Sequence, residues 1–250
     1  MDLKLSGRTY VVTGGSRGLG LATAQALVAE GAKVVISART TQGLNDAVEE
    51  LGGREHAIGV AADIGKSESA DLLVATAKES FGRLDGALLS VGGPPGGAMS
   101  DITDQQWRTS FESIFLGPLR LALKVAEAVT EGGAIAFVLS SSVRSPIAKL
   151  AISNGLRPGL AMAAKTLADE LGPQGIRVFG LLPGRIDTDR TRELDSSDPK
   201  RRTNAEATIP LRRYGQPSEF GQVAAFLLSP LASYVTGVMV PIDGGVIRSL

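Results

Sequence analysis

The chain contains no cysteine in 250 residues. Disulfides, thiolate nucleophiles and Cys-ligated metals are therefore excluded, and no metal site is expected. Histidine occurs once, as His56, ahead of the third strand candidate and far along the chain from the candidate catalytic segments, where it reads as a plain surface residue. There is no excess of either charge, with 26 basic and 26 acidic side chains, so nothing points to a polyanion or nucleic-acid partner. No apolar run is long enough to span a bilayer. The opening Met1-Asp2-Leu3-Lys4-Leu5-Ser6-Gly7 is short and polar, unlike a secretory signal. A cytoplasmic protein with no membrane partner is the expectation. Aromatic residues are also scarce, at 4%. Ala, Gly, Val and Leu dominate instead, a mix that lets helices lie close to a sheet.

What is present is an alternation of short apolar runs and longer helical patterns. The strand candidates are 9–13, 33–38, 57–61, 86–89, 134–139, 176–182 and 238–242. They are aliphatic or β-branched and do not alternate, as parallel strands covered on both faces should not. Helices are expected near 18–30, 41–51, 67–81, 104–129, 152–171 and 217–228. Thr103 with Gln106 reads as a capping box, and Pro217 sits where a helix start tolerates its missing N–H. This order predicts an α/β fold: one Rossmann-type, doubly wound domain over residues 1–250, with a seven-stranded parallel sheet and helices on both faces. One long stretch, Pro183 to about Thr208, reads as irregular and is rich in Asp, Arg and Ser. Such loops are lids or disordered segments. Leaving the ligand edge of the sixth strand, this one reads better as a lid-like insertion at about 185–208.

The most informative motif is Thr13-Gly14-Gly15-Ser16-Arg17-Gly18-Leu19-Gly20, placed directly after the apolar run Thr9–Val12. It reads as a strand turning through glycines into a helix whose Leu19, Ala22, Ala26 and Leu27 share a face. A helix N-terminus offers unpaired N–H groups and partial positive charge, and so binds phosphate. Gly14 suits the turn, Gly18 lets the backbone approach a pyrophosphate, and Gly20 allows close helix–strand packing.

These residues resemble the short-chain dehydrogenase/reductase superfamily along almost the whole chain. Thr13 to Gly20 matches its nucleotide loop, and Asp63 in Ala61-Ala62-Asp63-Ile64 matches its adenine-contacting acid. Leu182-Pro183-Gly184-Arg185-Ile186-Asp187-Thr188-Asp189 is similar to its Pro-Gly segment, and Ser233 through Gly245 to its C-terminal strand. The resemblance implies cofactor contacts from Gly14, Ser16, Arg17, Gly18, Leu19, Gly20, Asp63, Ile64, Val91, Gly92, Pro183 and Gly184, with Ile186 and Thr188 on the nicotinamide carboxamide. NAD(H) is usually held by an acid at the end of the second strand. Here that strand ends Ile36-Ser37-Ala38-Arg39. Arg39, with Arg17, can pair with a 2′-phosphate, which favours NADP(H) over NAD(H). The alternative is that both are ordinary solvated arginines.

The family's catalytic set is Asn, Ser, Tyr and Lys, and most of it is missing. Counting back from Thr166–Leu171 puts Arg157 at the Lys position and Ser153 at the Tyr position, with Ser140 thirteen residues earlier. Trp107 aligns in the preceding helix and places Ile114 where Asn belongs; Leu89-Ser90-Val91-Gly92 replaces Asn-Asn-Ala-Gly. The run Ser153-Asn154-Gly155-Leu156-Arg157 resembles a divergent, β-ketoacyl-reductase-like branch that carries Ser-Asn-x-x-Arg in place of Tyr-x-x-x-Lys. Arg157 can bind ribose hydroxyls but cannot donate a proton at neutral pH, its pKa staying above about 12. Losing a general acid costs about 10²–10⁴ in rate. Ser140, Ser153 and Arg157 could still form an oxyanion site. Ser142 is a second candidate, Lys149 either a proton source, should its pKa be depressed, or a solvated surface lysine, and Gly92–Gly97 either a substrate mouth or a rigid turn. Two functions compete: an NADP(H)-dependent oxidoreductase acting on a small-molecule carbonyl or secondary alcohol (3-oxoacyl-like or another ketone), or a non-catalytic NADP(H)-binding sensor, scaffold or silent subunit. By resemblance, a homodimer or homotetramer is expected through the helices near 104–129 and 152–171. Leu160-Ala161-Met162-Ala163-Ala164 is either part of that interface or packed within the monomer.

Overall fold

Aliphatic runs flanked by glycine and polar residues become parallel strands when both faces can be covered, and that is how this chain folds. The structure, a computed structural model, describes residues 2–129, 132–196 and 200–249. Its strands are β1 Thr9–Thr13, β2 Lys33–Ala38, β3 Ala57–Ala61, β4 Gly86–Leu89, β5 Ala134–Val138, β6 Arg177–Pro183 and β7 Met239–Ile242. They form one seven-stranded sheet in the order β3-β2-β1-β4-β5-β6-β7, with every neighbouring pair parallel. The order reverses between β1 and β4, which opens a crevice at the carboxyl ends of those strands. The doubly wound Rossmann-type fold read from the alternation is the one observed.

Alternate residues of each strand feed two cores. Val12 and Ile36 join Leu27, Phe179 and Phe220 on the face covered by helices α1 (Gly18–Ala29) and α9 (Pro217–Leu228). Val11 and Val35 join Leu73, Leu121, Phe137 and Leu160 on the face covered by α3 (Glu68–Phe81), α5 (Gly117–Ala128) and α6 (Ala151–Leu171). Gly221 of α9 has no room for a Cβ against the Ala22 carbonyl, so α1 and α9 cross in close contact. Every residue of β1, β4 and β5 is buried, whereas edge strand β3 exposes Gly59 and Ala61.

Helix bounds differ from expectation where backbone chemistry intervenes. Helix α2 is Leu44–Glu50, not 41–51, because Gly43 at φ +77° is left-handed and ends the preceding turn. The helix expected over 104–129 is α4 (Asp104–Ser110), a π-helical segment Phe111–Leu116, then α5. Pro118 cannot donate to a carbonyl one turn back, and Gly117 is pressed against the Ile64 carbonyl, so a regular turn is not available there. Thr103 and Gln106 do form the reciprocal capping box of α4.

The stretch read as irregular from Pro183 to Thr208 is corrected: β6 runs to Pro183, and helices α7 (Asp189–Asp195) and α8 (Arg201–Thr208) follow. Positions 197–199 of this expected lid lie outside the described residues. Ion pairs rather than an apolar face order these helices. Asp187 accepts from Arg192 and Arg202, and Arg202 also pairs with Glu206 one turn on. Within Leu160–Ala164, Leu160, Ala161 and Ala164 are buried in the monomer's own core, while Met162 is 68% exposed. Among the described residues no helix is long and apolar enough to cross a membrane.

Candidate active site

The sequence Thr13–Gly20 builds a phosphate-sized mouth from backbone atoms. Thr13 donates from Oγ1 to the Ser90 carbonyl at 2.7 Å, tying β1 to β4 at the crevice. Gly14 sits at φ +60°, and a Cβ there would lie 2.8 Å from that same carbonyl. Gly15 N–H donates to the Ser37 carbonyl at 2.9 Å, fixing the loop to β2. Gly18 opens α1 at φ +60°, and Gly20 leaves no space between α1 and the Gly14 carbonyl. The first-turn amides of α1 thus point into the crevice without helical acceptors, and Arg17 gives no side-chain cap. Thr188 faces Gly18 across the mouth, its Cγ2 3.6 Å from where a Gly18 Cβ would stand. A cavity of about 220 Å³ lies here, lined by Gly18, Gln25, Thr188 and Arg192 among others.

At the end of β2 the second element of a nucleotide site appears. Arg39 and Arg17 are both exposed, and neither side chain makes a hydrogen bond or ion pair among the described residues. Ser16 lies beside the Gly43 turn, 4.0 Å from a Cβ built there, so the loop after β2 adjoins the phosphate mouth. Asp63, after β3, accepts from Gly65 N–H at 3.0 Å, and its carbonyl accepts from Ser69 Oγ at 2.6 Å; Ile64 packs against the core. These groups fit a dinucleotide: bare amides for its diphosphate, two unpaired guanidinium groups for a further phosphate, and a positioned acid beyond.

The other side of the crevice is built from side chains. Ser140 follows β5 half-buried, and its Oγ accepts from Ser142 N–H at 3.1 Å. Ser142 and Ser153, each 4% exposed, share a hydrogen bond between hydroxyls at 3.1 Å. The hydroxyl brought to Ser153 is therefore that of Ser142, the second candidate, rather than Ser140. Arg157, one turn beyond Ser153, is 5% exposed and donates from Nη1 to the Val138 carbonyl at 2.6 Å. No carboxylate pairs with it among the described residues. Burial, then the charge of Arg190, brings its pKa down to about 10. The expectation of a value above about 12 is corrected, although the group stays charged at neutral pH. Asn154 holds the loop in front of this group, accepting from Ile147 N–H at 3.0 Å and donating to its carbonyl at 2.8 Å.

The remaining candidates fall elsewhere. Lys149 is exposed, at φ +60°. Trp107 packs on Gly155, and Ile114 is buried. Tyr10 lies in the core with its hydroxyl donating to the Leu228 carbonyl, and Tyr214 donates to Asp195 at 2.9 Å. Burial raises the pKa of both phenols. Tyr234 is fully exposed, as is His56 in large part. Val91 and Gly92 follow β4 at the crevice; Pro183 ends β6, and Gly184 is packed against Asp243. Ile186 is buried against Gly215.

One residue escaped the sequence reading. Arg190 of α7 lies flat against Gly93, donating to the Gly93 carbonyl at 3.0 Å and to the Pro94 carbonyl at 3.3 Å. It joins α7 to the loop after β4 across 97 positions, and no local pattern announces such a contact. The same loop bridges to the segment before α6, where Gly97 N–H donates to the Lys149 carbonyl at 2.8 Å. Beside it is a groove of about 360 Å³ lined mainly by Met99, Pro146, Ile147 and Ala148.

Known proteins share this architecture. The family model described as enoyl-(acyl carrier protein) reductase matches residues 14–247. Dehydrogenase/reductase SDR family member 4 of Homo sapiens is 32% identical over 245 residues, covering 96% of this chain and 88% of that protein. An L-rhamnose 1-dehydrogenase (NAD(P)(+)) of Azotobacter vinelandii is 34% identical over 253 residues, covering 97% and 98%. The crystal structure of L-sorbose reductase from Gluconobacter frateurii, complexed with NADPH and L-sorbose, superposes with a TM-score of 0.92 at 30% identity, covering all of both chains.

Proposed function

This chain belongs to the short-chain dehydrogenase/reductase superfamily, and from that premise we propose that it is an NADP(H)-dependent oxidoreductase acting on a carbonyl or secondary alcohol through a non-standard catalytic site. The observation that carries the reading is the pair of unpartnered guanidinium groups, Arg17 and Arg39, beside an amide-lined mouth with no acid at the end of β2. When bound, the dinucleotide supplies or accepts a hydride at its nicotinamide ring. The α1 amides would hold its diphosphate, Arg17 and Arg39 its 2′-phosphate, Asp63 and Ile64 its adenine side, and Val91, Gly92, Pro183, Gly184, Ile186 and Thr188 the nicotinamide side. NADPH occupies the related L-sorbose reductase structure, which supports the cofactor class.

At the reacting end the chain's own groups stabilise charge rather than move protons. Arg157 stays cationic below its lowered pKa of about 10. Its free N–H groups would serve ribose hydroxyls and a developing oxyanion, alongside the Ser140, Ser142 and Ser153 hydroxyls. This is the Ser-Asn-x-x-Arg arrangement of residues 153–157, with water left as proton source. The segment at about 185–208 is read as the lid of a single domain. Exposed Met162 of α6, with exposed Leu123 of α5, fits an oligomer formed through those helices. Purified protein mixed with NADPH and a ketone panel tests the reading. Oxidation of NADPH that is lost on Arg157→Met supports it; no binding of either dinucleotide defeats it.

A second reading is favoured by one observation: the two buried serines hydrogen-bond each other and Arg157 to a strand carbonyl, with no acidic side chain bonded to any of them among the described residues. On that reading the protein is a non-catalytic NADP(H)-binding sensor, scaffold or silent subunit. Tight NADPH binding with no turnover across the panel would select it.

A further inference from the structure

We propose that Arg157 and Arg190 form a seat for a carboxylate carried by the substrate, so that the molecules accepted are anionic carbonyl compounds rather than neutral ketones. This rests on the proposed function above for the position of the reacting centre. Three observations carry it. First, Arg157 is 95% buried from solvent by its 5% exposure, yet it has a single protein acceptor, the Val138 carbonyl, and no carboxylate. None of its nitrogens is both fully enclosed and unpartnered, so the N–H groups without a protein acceptor reach solvent and are open to a ligand. Second, Arg190 is delivered to the same end of the crevice from α7, where it lies flat on Gly93 and bonds the Gly93 and Pro94 carbonyls. It too has no acidic partner among the described residues, although its neighbours Asp187 and Asp189 both pair with Arg192. Third, the two cations feel each other, since Arg190 is the one charge that lowers the Arg157 pKa.

Arg190 is exposed and already held on the loop after β4 by two carbonyls, and neither it nor Arg157 meets a counter-ion among the described residues. A monoanion between them offsets their repulsion, takes the spare N–H groups of Arg157 and ties α7 to the wall of the site. A neutral ketone does neither. The ribose of a dinucleotide brings hydroxyls to Arg157 but no charge, and the diphosphate is served by the α1 amides on the other side of the crevice.

The test is calorimetric titration of protein saturated with NADP⁺, so that no turnover occurs, with levulinate and with its methyl ester. These share a ketone and a carbon chain and differ in the carboxylate. Levulinate is expected to bind about tenfold or more tightly than the ester. Arg190→Gln should lower levulinate affinity by about tenfold and leave ester and NADP⁺ affinities within about twofold. Arg157→Met, which keeps the volume without the charge, should do the same to levulinate. Equal binding of acid and ester, no binding of levulinate, or levulinate binding indifferent to Arg190→Gln would each overturn the proposal. So would competition between levulinate and NADP⁺, which would give the seat to the cofactor's own phosphates. If NADP⁺ itself fails to bind, the proposed function falls and the titration is run on the protein alone. Levulinate binding sensitive to Arg190→Gln then sustains the seat, and its absence removes that as well.

Discussion

The two walls of the crevice are made of different material. The β1–β3 wall is backbone: positive-φ Gly14 and Gly18, the Gly20–Gly14 contact, and amides with no acceptor. The β4–β6 wall is built by side chains: Ser142 on the Ser153 hydroxyl, Arg157 on the Val138 carbonyl, Arg190 on the Gly93 carbonyl. A backbone wall tolerates little substitution, because every change in it is a steric change. A side-chain wall can lose its chemistry and keep the fold. The β1–β3 wall should therefore fail together with stability, and the β4–β6 wall should fail separately from it.

The largest effect is expected at Gly20. A valine there drives its Cβ into the Gly14 carbonyl, at the seam between α1 and β1. Overpacking of this kind costs about 1–3 kcal/mol or more, so the melting temperature should fall by about 5–10 °C and NADPH binding should vanish. A Gly20→Val protein that binds NADPH normally would break the comparison outright. Next is the Arg17→Ala, Arg39→Ala double variant, whose side chains make no hydrogen bond or ion pair among the described residues. Each charge-assisted contact to a phosphate is worth about 1.5–3 kcal/mol. NADPH affinity should drop by about 10²-fold or more while NADH affinity and melting temperature stay put. Equal losses for both dinucleotides, read by fluorescence titration, would remove these arginines from cofactor selection.

The contrast also explains what could be read without coordinates. Glycine spacing after an apolar run reports a steric requirement that is local, so the mouth at Gly14–Gly20 was legible, as were all seven strands to within about one residue at each end. The π-helical segment at Phe111–Leu116 was not, because it arises from Pro118 and from Gly117 against Ile64, a contact made only after folding. Helices α7 and α8 were hidden for another reason: ion pairs around Asp187 and Asp195 replace the apolar periodicity that marks a helix. On the β4–β6 wall, residue spacing favoured Ser140, but the short 3₁₀ turn Ser141–Val143 rotates the chain so that Ser142 meets Ser153. Arg190 could be found only in three dimensions.

Intermediate effects lie on the β4–β6 wall. Replacing a buried, unpaired Arg157 by Met removes a desolvated charge and leaves the Val138 carbonyl without its donor. These changes oppose each other, so stability should shift by no more than about 1 kcal/mol, while carbonyl reduction falls by about 10²-fold. A large loss of stability would instead make this wall structural. Ser142→Ala and Ser153→Ala should each cost about 1 kcal/mol, and the double variant less than their sum, because the bond between the hydroxyls is lost in all three, while Ser142→Ala also gives up the donation to the Ser153 carbonyl at 3.4 Å. Additive losses in urea melts would show that the two hydroxyls are satisfied independently.

The smallest effect tests whether the β1–β3 wall depends on what backs it. Helix α9 packs on α1 and begins at a capping box in which Glu219 accepts from Gln216 N–H at 2.7 Å and pairs with Arg213. The hydrogen bond from Arg213, then that from Gln216, holds the Glu219 carboxyl down at about 2. An unfolded glutamate titrates near about 4.3, so the folded state prefers the charged form. The resulting stabilisation is complete above that unfolded value and disappears as the pH falls through about 2. Both partners are roughly half exposed, so screening by solvent keeps the contribution of the pair small. Glu219→Gln keeps a capping side chain and removes only the charge. Its melting temperature should lie about 1–2 °C below that of the parent at pH 7, and the gap should close as the pH approaches 2. NADPH affinity should not move, because the mouth is fixed by Gly14 and Gly20 rather than by the start of α9. If affinity falls with stability in this variant, the phosphate mouth is held in shape by its covering helix, and the independence attributed to the backbone wall is lost.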